Sequence, residues 1–146
     1  MLARADGTPF TTARAQYLDH DPGSSESTQK IILKITADPL GGVVFAQLDT
    51  GAAWSILDAE VAEALSLLGG SGAPARISTR YGPVEGRLER TSLEILADQG
   101  DSLVINATVW VSPDWRSGNF LGYGGLLERI RFAVDPSENA VYFGPA

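Results

Sequence analysis

The sequence predicts a mainly β domain with two short helices, and three observations predict it. Apolar residues recur with period two over most of the chain from Lys30 onward, the spacing of half-buried strands. Between these runs Asp, Pro, Gly and Asn gather where turns are expected, as in Asp38-Pro39-Leu40-Gly41-Gly42, Asp98-Gln99-Gly100-Asp101 and Asp135-Pro136-Ser137-Glu138-Asn139. Only two short segments, after Asp58 and after Gly124-Gly125, carry helical spacing.

Residues 1–29 are polar and turn-rich and end in Asp21-Pro22-Gly23-Ser24-Ser25-Glu26-Ser27. That composition predicts an N-terminal arm or leader on a flexible connector, ahead of a single domain over 30–146. The arm is a candidate propeptide, self-cleavage site or dimer clasp. His20, between Asp19 and Asp21, reads as a solvated histidine rather than a base. From Lys30, Ile31, Leu33 and Ile35 alternate with Lys30, Ile32 and Lys34, and Val43 to Leu48 is a second apolar run, so a hairpin is expected. Asp58 can cap a helix whose Val61, Leu65 and Leu68 share a face and which Gly69-Gly70 stops. Ile77, Thr79 and Tyr81 then lead to Gly82-Pro83, and Val84 to Leu96 returns extended. Leu103, Ile105, Ala107, Val109 and Val111 lie on one face of a long strand. Phe120-Leu121-Gly122 is a short apolar strand, Leu126, Leu127 and Ile130 mark the second helix, and Phe132, Val134, Val141 and Phe143 form a closing hairpin.

Composition narrows the chemistry. At 146 residues the chain can bury a core without disulfides or metal clips. It has no cysteine and one histidine, so thiolate nucleophiles, thiolate metal sites and sites with two histidine ligands are excluded. Ten Asp and eight Glu remain as candidates. A net charge of −7, with two Lys and nine Arg spread along the chain, argues against nucleic acid as a partner. No apolar stretch approaches a membrane span, and no secretory signal is visible, which favours a cytoplasmic protein.

The informative segment is Phe45-Ala46-Gln47-Leu48-Asp49-Thr50-Gly51-Ala52. Asp49 ends an apolar strand, Thr50 places a hydroxyl beside it, and Gly51 allows a tight turn. Asp-Thr-Gly alone is weak, because this composition yields ~0.07 such tripeptides by chance and an Asp that satisfies its own turn explains it equally well. Its context is more specific. An apolar strand, Leu48-Asp49-Thr50-Gly51-Ala52 with Ser55, then Ile56-Leu57, and much later Phe120-Leu121-Gly122-Tyr123-Gly124-Gly125-Leu126-Leu127-Glu128-Arg129 resembles the retropepsin-like aspartic protease family. The resemblance runs from about Lys30 to Gly144 and includes the closing Phe132-Ala133-Val134-Asp135-Pro136 and Val141-Tyr142-Phe143-Gly144.

The resemblance implies a closed acid-protease β-barrel with a flap hairpin over Ile77–Leu88, whose tip residues Tyr81, Gly82 and Pro83 would meet substrate. It implies Asp49 as the catalytic group, Thr50, Gly51 and Ala52 as the active-site loop, and Phe120, Leu121 and Gly122 as the strand behind it. No cofactor and no metal are implied. Two such carboxylates share a proton across a dyad and activate a water. Since Asp49-Thr50-Gly51 is the one Asp-Ser/Thr-Gly here, a complete site needs a homodimer, with polypeptide as substrate.

Two departures stand out. Ala53 and Tyr123 occupy positions where retroviral members commonly place an Asp and an Arg that pair near the dimer interface. Gly124-Gly125 replaces an Asp or Asn often found before the last helix. Ala52 lacks a hydroxyl found there in pepsin-like enzymes, which implies a less acidic pH optimum than pepsin's. The competing expectations are a peptide-binding or dimerisation module on the same fold, favoured less by the intact Asp-Thr-Gly-Ala, and a structural β domain with a chance tripeptide. Glu85, Glu89 and the Asp98/Asp101 pair read as solvated or turn residues; Trp54 reads as core ahead of aromatic packing at the interface, and Trp110 and Trp115 as core ahead of lining a substrate groove.

Overall fold

The computed structural model describes residues 1–25 and 28–146, so Glu26 and Ser27 of the expected connector lie outside the described residues. Three short strands open the chain: β1 (Leu2–Ala3), β2 (Pro9–Thr11) and β3 (Ala13–Gln16). The expected hairpin follows as β4 (Ile32–Thr36) and β5 (Val44–Leu48), paired antiparallel from Ile32 opposite Gln47 to Ile35 opposite Val44. Next come β6 (Ser55–Ile56), helix α1 (Ala59–Ala64), β7 (Pro74–Thr79) and β8 (Gly82–Ile95). The chain ends with β9 (Gln99–Gly100), β10 (Leu103–Val111), β11 (Asn119–Leu121), β12 (Ile130–Asp135) and β13 (Ala140–Pro145). Strand outweighs helix by 49% to 8%, so the molecule is mainly β. No helix among the described residues is long and apolar enough to cross a membrane.

Local chemistry sets the helical pieces. The Asp58 carboxylate accepts the Glu60 N–H at 3.1 Å and caps α1, while Val61, Leu65 and Leu68 pack half-buried against the core. Where a second helix is expected, Leu127–Arg129 makes a single 3-10 turn. The Glu128 carboxylate accepts the Gly125 N–H at 2.8 Å, and the chain turns directly into β12.

Seven strands form one sheet in the order β10-β6-β11-β5-β4-β8-β7, with β8 also paired to β10. The 14 residues of β8 allow this, because successive stretches serve different partners. Gly82–Arg87 pair with β7, Arg87–Ile95 with β10, and Glu94 and Ile95 with β4. The pairings therefore lead from β10 through β6, β11, β5, β4 and β8 back to β10. Ile105, Ala107, Val109 and Val111 point from one face of β10 into the core, as their alternation predicts, and Trp110 is also fully buried.

The segment expected as a polar arm is built differently over its first half. Strand β3 lies inside a four-stranded sheet, β12-β13-β3-β9, with Ala13 opposite Phe143 and Ala15 opposite Val141. Thr11, Ala13, Ala15 and Tyr17 are buried. Ala-Arg-Ala-Gln carries little hydrophobic signal, yet Ala13 and Ala15 are buried, and β9 comes very close to the backbone of Thr12 and Ala13. A Cβ on Gly100 would run into the Thr12 carbonyl, and Gly100 has φ +78°, a conformation that favours glycine. Asp98, expected only as a turn residue, accepts the Gln16 N–H at 2.6 Å and donates its own N–H to the Arg14 carbonyl at 2.9 Å. In the turn between β12 and β13, the Ser137 hydroxyl donates to Asp135 at 2.6 Å and holds that carboxyl below its ordinary value.

Removing residues 1–16 takes a central strand out of this sheet and uncovers Phe143 and Val141. The shortened chain is expected to lose at least about 3 kcal/mol of stability in urea unfolding, the scale of a large core truncation. An unchanged urea midpoint contradicts the placement of β3.

Candidate active site

Strand β5 delivers Asp49 to its own C-terminal end, where the pairing with β11 is parallel and runs Asn119 with Ala46, Phe120 with Gln47 and Leu121 with Leu48. The Asp49 N–H continues that ladder, donating to the Leu121 carbonyl at 3.0 Å. The chain then turns tightly: Ala52 N–H donates to the Asp49 carbonyl at 3.2 Å, and Gly51 N–H to Asp49 Oδ1 at 2.9 Å. Asp49 is half-buried, and Thr50 and Gly51 are exposed. Neither Asp49 Oδ2 nor the Thr50 hydroxyl has a hydrogen-bond partner among the described residues.

Strand β11 sits between β5 and β6, which joins the two sequence signatures into one structure. The buried Ser55 hydroxyl accepts the Gly122 N–H at 2.9 Å. Tyr123 and Gly124 donate to the Ala52 and Ala53 carbonyls at 2.9 and 2.8 Å. The glycines are required by this closeness: a Cβ on Gly122 would collide with the Trp54 carbonyl, and one on Gly124 with that of Ala53. Phe120, Leu121 and Gly122 thus stand directly behind the Asp49–Ala52 turn. Ala53 is exposed and Tyr123 is 55% exposed, so the two positions expected to lack an ion pair present small and aromatic surface.

A cleft of about 450 Å³ separates this loop from the β7–β8 hairpin. Ala52, Trp54 and Ile56 line one side, Arg76 and Ile77 of β7 the other, and Trp115 also contributes. Arg76 is the charged side chain of that lining and pairs with Glu85 directly across the hairpin. The expected tip residues lie apart from the lining. Tyr81 is 85% exposed with the Arg80 guanidinium 4.9 Å from its ring centre, and Gly82 takes φ +107° at the turn beside Pro83. The sequence reading therefore missed Arg76, which lies just before the expected flap, and did not aim Ile77, the first residue of that flap, at the loop. It also assigned Trp54 and Trp115 to the core, whereas both reach the cleft; Trp110 is the buried one.

Aromatic packing ties the hairpin to the loop. The Trp110 indole N–H donates to the Ala75 carbonyl of β7 at 2.8 Å. Trp110 meets Trp115 edge-on at 5.9 Å between ring centres, and Trp115 meets Phe120 at 6.2 Å. A Cβ on Gly86 would strike the Trp110 ring, so β8 passes close over that indole.

No protein-family model matches the chain, and no curated protein matches it. The chemistry of the site therefore rests on its own geometry. Among the described residues no three His, Asp or Glu side chains gather as a metal site needs. The arrangement offers a carboxylate with one oxygen fixed and one open, on a loop whose Gly51 and Ala52 line a largely apolar cleft that Asp49 itself does not line.

Ser55→Ala leaves the Gly122 N–H buried without an acceptor and is expected to cost about 1–3 kcal/mol in unfolding experiments. Ser55→Thr, which keeps the hydroxyl, is expected to cost less. Equal stability of the alanine variant and the parent contradicts the role of this bond.

Proposed function

We propose that this chain is an aspartic endopeptidase of the retropepsin-like type that works as a homodimer. The observation that carries the proposal is the Asp49 carboxylate. It is held by the Gly51 N–H through one oxygen and open at the other, on a loop whose Gly51 and Ala52 line a cleft beneath a hairpin. The circuit of strand pairings from β10 back to β10 supports a closed barrel, and the β7–β8 hairpin above the cleft supports a flap. The alternative that Asp49 merely satisfies its own turn accounts for Oδ1. Asp6, Asp21 and Asp135 make the same one-oxygen turn bond, so it is the adjoining cleft and the hairpin beside it that favour the site over the turn.

In this reading two copies bring their Asp49 loops together about a twofold axis, and one carboxylate is protonated while the other is not. The ionised carboxylate takes a proton from a water, which attacks the scissile carbonyl, and the protonated one donates to the carbonyl oxygen. The tetrahedral intermediate collapses as the leaving nitrogen gains a proton. The exposed Thr50 hydroxyl is free to bond across the axis and fix the two loops. Backbone of Gly51 and Ala52 faces an extended peptide, which is held by strand-like pairing, and hairpin movement admits it.

Asp49→Asn is expected to lower cleavage of an unstructured protein by at least about a hundredfold, the scale of a lost general acid–base group. Sedimentation on the same samples is expected to find the active species dimeric. Equal activity of the two proteins removes the protease assignment. The pH–rate profile is expected to peak above about pH 3, because Ala52 places a methyl where a hydroxyl would steady the ionised dyad. A peak below that value contradicts the role given to Ala52.

A further inference from the structure

The β7–β8 hairpin forms one wall of the cleft, and its fastening to the body of the molecule decides where that wall stands. The fastening lies at Leu88–Glu89, where the covered face of β8 changes. Up to Leu88 the even-numbered residues Val84, Gly86 and Leu88 are the more covered ones. Beyond it the odd-numbered Glu89, Thr91, Leu93 and Ile95 are. Strand β8 pairs with β7 only before this switch, and with β4 only after it. Glu89 therefore stands where the hairpin leaves the core.

The segment that enters β7, Gly69-Gly70-Ser71-Gly72-Ala73, is clasped here by the consecutive residues Arg87, Leu88 and Glu89. The Arg87 guanidinium donates to the Gly70 carbonyl at 3.4 Å, and the Leu88 N–H to the Ala73 carbonyl at 2.9 Å. The Glu89 carboxylate accepts the Gly72 N–H at 2.7 Å, the shortest of the three and the one with an ionised acceptor. A side chain at Gly72 has no room, because its Cβ would strike the Leu88 carbonyl. Glu89, expected as a solvated charge, is half-buried against this segment. The bond from Trp110 to the Ala75 carbonyl holds β7 itself, so Glu89 is the side chain that holds the entry to it through Gly72.

We propose that Glu89 is a positioning residue for the cleft. By holding the Gly72 N–H, its carboxylate fastens the glycine-rich entry to β7 and sets where Ile77, Ser78 and Thr79 stand across from Gly51 and Ala52. Release of that bond lets the base of the hairpin shift about Gly69–Gly72 and moves the wall of the cleft. The inference rests on the functional reading only for what the cleft does to a bound peptide; the fastening concerns the hairpin alone.

Native-state amide exchange tests the fastening without substrate. In Glu89→Ala, exchange at Gly72 and along β7 is expected to rise about tenfold, the scale of one bond to a charged acceptor. Exchange in β10 and β13 is expected to stay as it is. Glu89→Gln keeps an acceptor oxygen at that place and is expected to exchange more slowly than the alanine variant. Glu89→Met, of similar length but with only a weak acceptor, is expected to match alanine and decides if the alanine variant does not fold. Peptide cleavage gives a second readout: Glu89→Ala is expected to raise KM by at least about twofold and leave kcat unchanged, since Asp49 is untouched. Glu89→Gln is expected to restore KM.

Unchanged exchange over β7, a rise shared equally by β10 and β13, or a glutamine variant as fast as alanine overturns the inference. If the parent cleaves no peptide while exchange follows the expected pattern, the protease reading falls and the fastening stands. If all variants cleave with the parent's KM, the positioning role is overturned and the protease reading stands.

Discussion

The insertion of β11 between β5 and β6 is the constraint on which the candidate site depends. One short strand, Asn119–Leu121, answers the backbone of β5 on one side and of β6 on the other. Its continuation closes over the turn that carries Asp49. Leu121 accepts from Asp49, Gly122 donates to Ser55, and Tyr123 and Gly124 donate to Ala52 and Ala53. Each bond fixes a backbone group next to the carboxylate, so the turn is held from behind without using the open Asp49 oxygen. Glycine at two positions is the geometric condition, because any Cβ there would occupy the space of a carbonyl.

From this joint the rest of the architecture follows outward. The circuit of pairings through β4, β8 and β10 packs on a core of β-branched and aliphatic residues. The hairpin of β7 and β8 is attached to the same core by Trp110, and the edge-on contacts through Trp115 reach Phe120 on β11 itself. The hairpin and the strand behind Asp49 are thus joined by packed aromatic edges rather than by charges.

Much of this was legible in the sequence where the signal is periodic. The strands around Ile35, Phe45, Ile77 and Ile105, the cap at Asp58 and the closing hairpin all appear where alternation and turn residues place them. The structure also sets Leu121 beside Leu48, an arrangement that follows from the family resemblance and not from either short motif by itself. What escaped is what depends on contact between distant segments. Ala13 and Ala15 carry too little hydrophobicity to announce a central strand, and their burial comes from β13 and β9, which lie far away in sequence. Arg76 and Trp115 line the cleft because of how the hairpin folds over the loop, which no local pattern encodes. The short turn at Leu127–Arg129 replaces an expected helix because β12 must start at Ile130.

The central claim is that one active site is assembled from two Asp49 residues. It is tested most directly by mixing the parent chain with Asp49→Asn chains, allowing subunits to exchange, and measuring peptide cleavage across the mixing ratio. Random pairing makes the fraction of fully intact dimers the square of the parent fraction, so an equal mixture is predicted to retain about one quarter of the activity. Activity that falls in simple proportion to the parent fraction, with about one half left in the equal mixture, would mean that each chain acts alone and would contradict the account.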